Sequence, residues 1–484
     1  MSKLLTSFVT PLAGCLAFVG ASTWSPAQTV PKYTAEYLGE SLGATTLSHS
    51  GQLVGNATIG GNVRGWVASS GSPLVPLPLP PGFISSNAND INAAGVIVGR
   101  VGPFYSPEFQ EQAVAWFPNG AGGYTIQMLG KLPGHVGSNA VALNNVGDIV
   151  GYSNDGTFRL PVWFTAPGGI LDLNPTGVFD PQSINDKRVL VDRSANCKRL
   201  DLNTMIAEPL GMPPGSYGAT AGAAINESGQ VAGMGVLTSG TQCPYTAIRY
   251  TNGIGWQVFS GCGSGNGASD LNDVGDIIMR LNLASYVYFD KVGAFPIEDL
   301  IENTVGHWSV LNAGGVINNR RQIAVAATNA TTNQTGVLLL TPKPFSGVDS
   351  YGSGTPGCDG AHELSTNSSP TIGNASFALL ANHAPPSALG LGLITDAQGS
   401  GGDPFGLGVA FLVDPALATQ VIALDIHGDA GGAALAGAPI PNVPALAGSQ
   451  YYVQAFFAWP LAACAPPPSP FGLSSSNGLK LTIQ

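Results

Sequence analysis

Few ionisable side chains of this sequence are spaced as catalytic residues are. The six histidines stand far apart, and none forms the HExxH or HxH pattern that brings two imidazoles to one metal ion. A GxSxG elbow, a DxDxDG calcium loop and a CxxC pair do not occur either. Asp90 and Asp270 occupy equivalent positions in two copies of a repeated motif, where they could meet as paired carboxylates. We interpret both as solvated turn residues and predict no catalytic residue, no metal site and no cofactor.

Aromatic or imidazole rings precede the same motif at a fixed distance. Phe83, His135 and Tyr217 each stand nine residues before the position of the motif's asparagine, and the last such connection contains His307 and Trp308. If the repeated units form a ring, these side chains could gather at the mouth of its central channel and stack on a sugar or another flat ligand. We predict these five residues as ligand-binding. The alternative is that they anchor loops against the edges of the sheets.

The elements that would position these side chains come from a motif that occurs seven times. A hydrophobic residue precedes an asparagine, which leads by three residues to a glycine and then to a short apolar run. The position of the asparagine recurs every 41 to 52 residues, at Ser48, Asn92, Asn144, Asn185, Asn226, Asn272 and Asn318. In copies four and seven the glycine is replaced by Arg188 and Arg321. A period near 45 residues indicates one supersecondary unit repeated along the chain.

Each unit is predicted to supply four short antiparallel strands. An asparagine followed three residues later by a glycine is typical of a tight turn between two strands. Two further apolar segments, the first with an aromatic residue, follow in each unit. One such sheet cannot bury both faces, so the units must pack together. We predict an all-β fold, a seven-bladed β-propeller of four-stranded blades. Thr34 to Leu38 is predicted to pair beside Val337 to Leu340 and to close the ring.

The repeat region, Tyr33 to Thr341, resembles the bacterial extracellular HAF repeats. Their units read roughly Ala-x-Ala-Ile-Asn, two residues, Gly, an apolar strand and then His-Ala-Phe-Leu-Trp. The histidine is absent here, since Gln112 precedes AVAW and Leu160 precedes PVWF. The resemblance implies the repeated β fold and an extracellular location, and it implies no specific activity.

Composition limits the partners. Only 10% of the residues are charged, and the formal net charge is -11. The 18 lysines and arginines are scattered and form no basic stripe along the sequence, so we predict no nucleic-acid partner. The 66 glycines and 37 prolines fit many short turns and exclude a largely helical protein.

The first residues are predicted to be an export signal. Lys3 precedes an apolar stretch from Leu4 to Val19, and Ser25-Pro26-Ala27 has the small-x-small pattern of a cleavage site. Residues 1–27 are therefore predicted to be a signal peptide, and the apolar run is too short for a transmembrane span. The alternative is a lipoprotein anchored through an acylated Cys15. Either prediction gives a secreted or cell-surface protein.

The cysteines are expected to meet an oxidising compartment. If Tyr250 pairs with Gly255 in a hairpin, Cys243 lies opposite Cys262. Cys358 and Cys464 are the only cysteines of the C-terminal region. The predicted disulfides are Cys243–Cys262 and Cys358–Cys464. Cys197 is predicted to be a buried and inert thiol.

The C-terminal region is predicted to be a separate β domain. Residues 342–350 form a proline-containing linker, and residues 351–484 contain short alternating strands separated by turns, as in a β-sandwich. The region resembles a C-terminal domain of secreted planctomycetal proteins, which shares the YGxGxxG start, a phrase like PIPNVPALAGSQYYVQAF and an ending like SSSNGLKLTI. The resemblance implies a role in attachment or sorting.

These observations predict an exported, non-catalytic binding or surface protein. Its partner would be a glycan or a component of the cell envelope, and we expect a monomer. The alternative is a secreted hydrolase or lyase that acts on glycans with carboxylates at the propeller channel. An enzyme should bring two carboxylates together beside an apolar shelf, whereas a binding module should present rings and backbone polar groups.

Overall fold

The computed structural model describes residues 30–484 with short gaps. The gaps are residues 42, 49, 103–109, 121, 166–167, 216, 239–243, 260–264, 291, 303–306, 359–360, 383, 386–388, 429–433 and 461–467. The described residues form an all-β structure, and the helices with defined bounds, Ile297–Leu300, Asn174–Thr176 and Pro444–Leu446, are three or four residues long.

The described part of the repeat region contains seven antiparallel sheets, numbered here in chain order. The first sheet has strands Ala44–Leu47, Gln52–Ile59, Asn62–Ser69 and Ser72–Pro76, and the second has Ser85–Ile91, Ile97–Gly102, Gln112–Pro118 and Tyr124–Met128. The third has Gly137–Leu143, Ile149–Asn154, Arg159–Thr165 and Gly169–Asp172, and the fourth has Pro181–Ile184, Val189–Asp192, Lys198–Asp201 and Ile206–Pro209. The fifth has Tyr217–Ile225, Val231–Leu237, Tyr245–Thr251 and Gly255–Phe259, and the sixth has Gly267–Leu271, Ile277–Leu281, Ala284–Phe289 and Gly293–Pro296.

The seventh sheet joins the two ends of the repeat region. Its strands are Tyr33–Gly39, Thr335–Pro342, Ile323–Asn329, Trp308–Val310 and Val316–Ile317. Ala35 lies opposite Leu340 and Tyr37 lies opposite Leu338, as the sequence predicts. This pairing is confirmed, and it covers the edge that Thr335–Pro342 would otherwise expose.

The repeated asparagines connect consecutive sheets. In the six copies that have one, Oδ1 accepts from the backbone N–H four residues later at 2.7–3.0 Å and so fixes the turn. Nδ2 donates at 3.0–3.2 Å to the backbone oxygen of the equivalent residue in the next sheet. Asn318 of the seventh sheet donates in this way to Ser48 of the first. We call this set the asparagine ladder.

The ladder has one gap, between the first sheet and the second, because Ser48 has no amide. There the hydroxyls of Thr45 and Thr46 donate to Ala88 O and Asn89 O at 2.9 and 3.1 Å. Each sheet is therefore hydrogen-bonded to the next, and the last is hydrogen-bonded to the first. The ladder residues are buried, so each lost partner would leave an unsatisfied polar group.

The two turns that carry arginine in place of glycine are stabilised differently. Arg188 and Arg321 adopt φ of 65° and 57°, a conformation that costs a side-chain-bearing residue about 1 kcal/mol. Arg321 Nε donates to Asp276 Oδ2 of the preceding sheet at 2.7 Å, and Arg188 Nε donates to Asp148 Oδ2 at 2.9 Å. Both aspartates are buried, so removing either arginine would leave a buried carboxylate without its cation.

Apolar clusters fill the spaces between consecutive sheets. Trp116 of the second sheet, for example, is fully buried with Val54 and Leu77 of the first. Its indole N–H donates to Pro78 O at 2.9 Å. Such packing buries the apolar faces that a single sheet would leave exposed to solvent.

The C-terminal region forms a nine-stranded antiparallel sheet and a two-stranded one within its described residues. The nine strands are Val348–Tyr351, Gly478–Thr482, Gln450–Ala458, Leu389–Thr395, Val421–Gly428, Ala434–Gly437, Ala378–Asn382, Glu363–Thr366 and Leu473–Ser475, and the two are Gln398–Gly402 and Phe411–Val413. The first strand begins at Val348, inside the segment predicted as linker. Asn477, beside one end strand, hydrogen-bonds both N and O of Leu364 on the other, so the large sheet curls around one apolar core.

One predicted register is wrong. Tyr250 lies opposite Trp256, and Thr251 lies opposite Gly255, so the hairpin is shifted by one residue from the predicted pairing of Tyr250 with Gly255. The glycines at 253 and 255 both adopt positive φ, which permits a tighter connection than we assumed. This removes the register argument for Cys243–Cys262, and both cysteines lie outside the described residues.

The remaining cysteines have different outcomes. Cys197 is a free, fully buried thiol, as predicted, and burial raises its pKa to about 12. Cys464 lies outside the described residues, so the pair Cys358–Cys464 stays a prediction, as does the signal peptide at residues 1–27.

Candidate functional site

The first strand of each sheet has two distinct ends. We call the end with the repeated asparagine the turn end and the opposite end, where the chain enters from the preceding sheet, the loop end. All five predicted ligand-binding residues lie at loop ends, because each precedes or begins a first strand. They belong to the second, third, fifth and seventh sheets, so only His307 and Trp308 are on one sheet.

The surroundings of the five residues differ. Phe83 packs against the apolar cluster between the first and second sheets. Tyr217 begins a strand, and its hydroxyl accepts from Thr246 Oγ1 at 3.4 Å. Trp308 stacks on Tyr37 with 5.3 Å between ring centroids and 19° between planes. These contacts are those of the loop-anchoring alternative.

His135 and His307 are less enclosed. His135 is partly buried, and His307 is exposed beside Trp308. His135 lies in the connection into the third sheet, where its neighbour Val136 is 41% exposed. The loop ends of the third and fourth sheets carry two rings that are more exposed than that of His135.

Two phenylalanines that the sequence analysis did not select project from the loop ends of the third and fourth sheets. Phe158 is 69% exposed and Phe179 is 56% exposed. Asp155 Oδ1 accepts from Thr157 N and Phe158 N at 2.8 Å each, and this turn points the Phe158 ring outwards. Val178 is fully buried and holds the segment from which Phe179 projects. We call this region the Phe158–Phe179 surface.

A hydrogen-bonded network lies beneath these rings. The hydroxyl of Tyr152 donates to Asp180 Oδ1, and Gln182 Nε2 donates to the same oxygen at 2.7 Å. Asp180 N in turn donates to Asp192 Oδ1 at 3.0 Å. Burial and the charge of Asp180 raise the pKa of Tyr152. The network joins the loop ends of the two sheets into a fixed platform.

Two cationic side chains lie against rings of this region. Lys198 Nζ lies 5.5 Å from the centroid of the Phe179 ring and donates to Gly177 O. Arg159 lies beside Phe158 in sequence and over the Tyr152 ring, with 6.0 Å from Cζ to the centroid. Exposed apolar rings beside charged groups are typical of an interaction surface.

Asp90 and Asp270 do not lie free in solvent as the sequence analysis expected. Asp90 accepts from Ile91 N at 2.8 Å and Leu143 N at 2.9 Å. Asp270 accepts from Leu271 N at 2.9 Å and Ile317 N at 2.8 Å. Each carboxylate therefore bridges its own first strand to that of the next sheet.

The pKa values of both aspartates are raised. Burial raises the pKa of Asp90 to about 6, against the lowering effect of its two N–H donors. Burial raises the pKa of Asp270 to about 7, and the charge of Asp90 adds to the effect. The two carboxylates thus interact electrostatically, although backbone donors hold each of them.

Carboxylates also adjoin one another at the turn end. Asp186 N donates to Glu227 Oε1 at 2.7 Å, and Glu227 N donates to Asp273 Oδ1 at 2.9 Å. Burial and the charges of the two aspartates raise the pKa of Glu227 to about 8. Within the part of the chain that the structure describes, no group of three or more His, Cys, Asp or Glu could hold a metal ion.

A cavity of about 770 Å³ lies between the repeat region and the C-terminal sheet. Val292, Leu380 and Leu435 contribute apolar walls. Arg320 Nε donates to Glu363 Oε1 at 2.6 Å and joins the two regions across it. We regard this cavity as the joint between the regions, since its charged groups are bound in ion pairs within the protein.

Across the described residues, no helix has the length and apolar character needed to cross a bilayer.

Comparisons with known proteins identify no family. No protein-family model matches the chain, and no curated protein matches it. An oligogalacturonate lyase in complex with manganese is 9% identical, over 66% of this chain and 92% of that chain, with a TM-score of 0.41. YCF48 bound to D1 peptide is 14% identical, over 66% and 99%, with a TM-score of 0.37. TolB from Acinetobacter baumannii is 10% identical, over 64% and 97%, with a TM-score of 0.32. Likenesses of this strength carry no argument about this chain.

Proposed function

We propose that this protein is an exported, non-catalytic binding protein that binds its ligand at the Phe158–Phe179 surface. The observation that carries the proposal is the exposure of both rings, 69% and 56%, on a platform fixed by the hydrogen bond between Tyr152 and Asp180. Rigid exposed rings lose little conformational freedom when they bind, and they offer flat apolar faces to a sugar ring. A glycan, free or in the cell envelope, is the partner class we propose.

The architecture that supports this surface is proposed to be a seven-bladed β-propeller followed by a C-terminal β-sandwich. Seven sheets in the described repeat region and the return of the asparagine ladder from Asn318 to Ser48 support the ring. The C-terminal domain is proposed to attach or sort the protein. We further propose a secreted or surface location, with a signal peptide cleaved near Ala27 or a lipid anchor at Cys15, a monomeric state, no nucleic-acid partner and the disulfide Cys358–Cys464.

A glycan array tests the binding proposal directly. The mature chain and the double variant Phe158→Ala/Phe179→Ala are applied to the same array, with Val146→Ala as the matched control. Val146 is 58% exposed at the turn end of the third sheet. We expect a glycan signal for the wild type and the control and a loss of about tenfold or more in affinity for the double variant. An equal signal from all three proteins would reject this surface.

A glycan-active hydrolase or lyase is the second candidate. The observation that favours it is the interaction of Asp90 with Asp270, whose pKa values lie near neutrality as those of general acids and bases do. The backbone donors of both carboxylates favour a structural role instead. Product analysis after incubation with the bound glycans decides between them. Release of shorter or unsaturated products that is abolished in Asp270→Ser would establish the enzyme.

A further inference from the structure

The Phe158–Phe179 surface is the one part of the described loop ends where we find exposed rings and several cations together. Lys131, Arg159 and Arg193 are exposed, and Lys198 is partly buried against Phe179. All four lie at the loop ends of the third and fourth sheets, on a chain with 18 lysines and arginines and a net charge of -11. The sequence spreads these residues over 68 positions, so the fold is what gathers them.

Hydrogen bonds join the segments of Lys131 and Arg193 to the two turns that carry the rings. Lys131 Nζ donates to Val136 O at 3.1 Å, and Val136 N donates to Asn154 O at the foot of the turn that carries Phe158. Arg193 N donates to Asp180 O, the residue that follows Phe179. The segments that carry Lys131 and Arg193 are therefore hydrogen-bonded to the segments that carry the rings, and the Lys198 ammonium lies against Phe179 itself.

The carboxylates of this end are bound to donors inside the protein. Asp192 is fully buried and accepts from Asp180 N and from Ser194 N and Oγ. Asp180 accepts from Tyr152 and Gln182, and Asp155 accepts from its own turn. Asp180 and Asp192 thus use their carboxylates inside the structure, whereas Asp155, Lys131, Arg159 and Arg193 are exposed, so the exposed cations outnumber the exposed carboxylates among these residues.

Resting on the proposed function, we infer that the ligand of this surface is an anionic glycan, with carboxylate or sulfate groups along its chain. The rings would stack on the sugar faces, and Arg193, Lys131 and Lys198 would meet the anionic groups. Guanidinium suits this role because its planar N–H groups match both carboxylate and sulfate oxygens. A cationic surface on an acidic protein would also steer an anionic ligand to this end of the molecule.

The test compares glycans that differ only in charge. Titration calorimetry of the full mature chain uses a mannuronate hexasaccharide, a mannohexaose of the same linkage, a sulfated mannohexaose and a single-stranded oligothymidylate. We expect the mannuronate or the sulfated glycan to bind about tenfold or more tightly than the neutral one at ~50 mM salt. The advantage should shrink severalfold at ~300 mM salt, because screening weakens contacts between exposed charges.

A matched pair of variants assigns the effect to the surface. In Arg193→Gln the contact through the backbone N–H survives, so the fold is kept while one outward charge is removed. We expect its affinity for the anionic glycan to fall about threefold to tenfold and that for the neutral glycan to stay unchanged. Lys187→Gln, which removes a charge at the turn end of the same sheet, should change neither.

The outcomes separate the two claims. Equal affinity for charged and neutral glycans, with binding lost in Phe158→Ala/Phe179→Ala, would overturn the inference and leave the binding proposal standing. Tighter binding of oligothymidylate than of any glycan would overturn the inference in favour of a nucleic-acid ligand. Failure of every probe to bind would contradict both claims.

Discussion

The turn end and the loop end of the repeat region differ in how their polar and apolar groups are used. At the turn end, the asparagine ladder satisfies buried amides within the protein, and Arg321 is bound to the buried Asp276. At the loop end of the third and fourth sheets, Phe158 and Phe179 are open to solvent. The polar groups of the turn end are therefore committed to structure, whereas the exposed rings of the loop end are available for binding.

The largest effect is expected from Arg321→Gly at the turn end. Glycine relieves about 1 kcal/mol of strain at φ 57°, but it leaves the buried Asp276 without its cation, which costs about 3 to 5 kcal/mol. We expect a net loss of roughly 2 to 4 kcal/mol in the free energy of unfolding, measured by urea denaturation. Arg188→Gly is the control, and its loss should be smaller because the Arg188 side chain is 42% exposed against 23% for Arg321. A gain of stability in Arg321→Gly would show that backbone strain dominates.

A pH effect of intermediate size is expected from the two aspartates of the first strands. The pKa of Asp270 rises from 3.8 unfolded to about 7 folded, and that of Asp90 rises to about 6. Between its unfolded and folded pKa values, each aspartate binds more protons in the folded state than in the unfolded state. The free energy of unfolding therefore falls as pH rises from about 4 to 7. We expect a decrease of about 2 kcal/mol between pH 6 and pH 8.

The variant Asp90→Ser/Asp270→Ser isolates this effect. Ser183 occupies the equivalent position in the fourth sheet, and its hydroxyl accepts from Ile225 N, so serine suits the site. Glu227, whose pKa is also raised, is unchanged in the variant. The difference between the wild-type and variant slopes therefore reports the two aspartates. Parallel curves for the two proteins would contradict their assigned pKa values.

A smaller, stabilising effect is expected where the ladder is incomplete. Ser48→Asn keeps the acceptor that caps the first turn and adds an amide facing the second sheet. One additional buried hydrogen bond should raise the free energy of unfolding by about 1 kcal/mol. Ser50→Asn, two residues further along the same turn, is the control and should give no gain. A loss in Ser48→Asn would show that the gap between the first two sheets is too narrow for the amide.

The smallest effect on stability is expected at the loop end. Phe158→Ala removes a ring that is 69% exposed, so the free energy of unfolding should change by less than about 0.5 kcal/mol. Thermal and urea unfolding of this variant beside Arg321→Gly measure the contrast between the two ends. Destabilisation of comparable size in the two variants would abolish the distinction.

Repetition explains which parts of the fold could be predicted. The repeated motif predicts where each asparagine turn lies. It also predicts the pairing of Tyr33–Gly39 with Thr335–Pro342. The contacts of the asparagine Nδ2 atoms could not be predicted, because they depend on how neighbouring sheets approach. The one-residue error at Tyr250 arose because turn length is not set by the apolar pattern alone.

The candidate site escaped prediction for a related reason. Fixed spacing before the motif selected Phe83 and Tyr217, whose surroundings hold them against the protein. Phe158 and Phe179 have no counterpart at equivalent positions, and their exposure depends on the local turn at Asp155 and on the burial of Val178.

Hydrogen–deuterium exchange with and without the glycan that binds most tightly tests the central claim most directly. We expect slower exchange of the amides of residues 155–158 and 177–180 in the complex, and unchanged exchange of residues 144–147 and 185–188 at the turn ends of the same sheets. Protection confined to the turn ends would contradict the claim that the loop end of the third and fourth sheets is the binding surface.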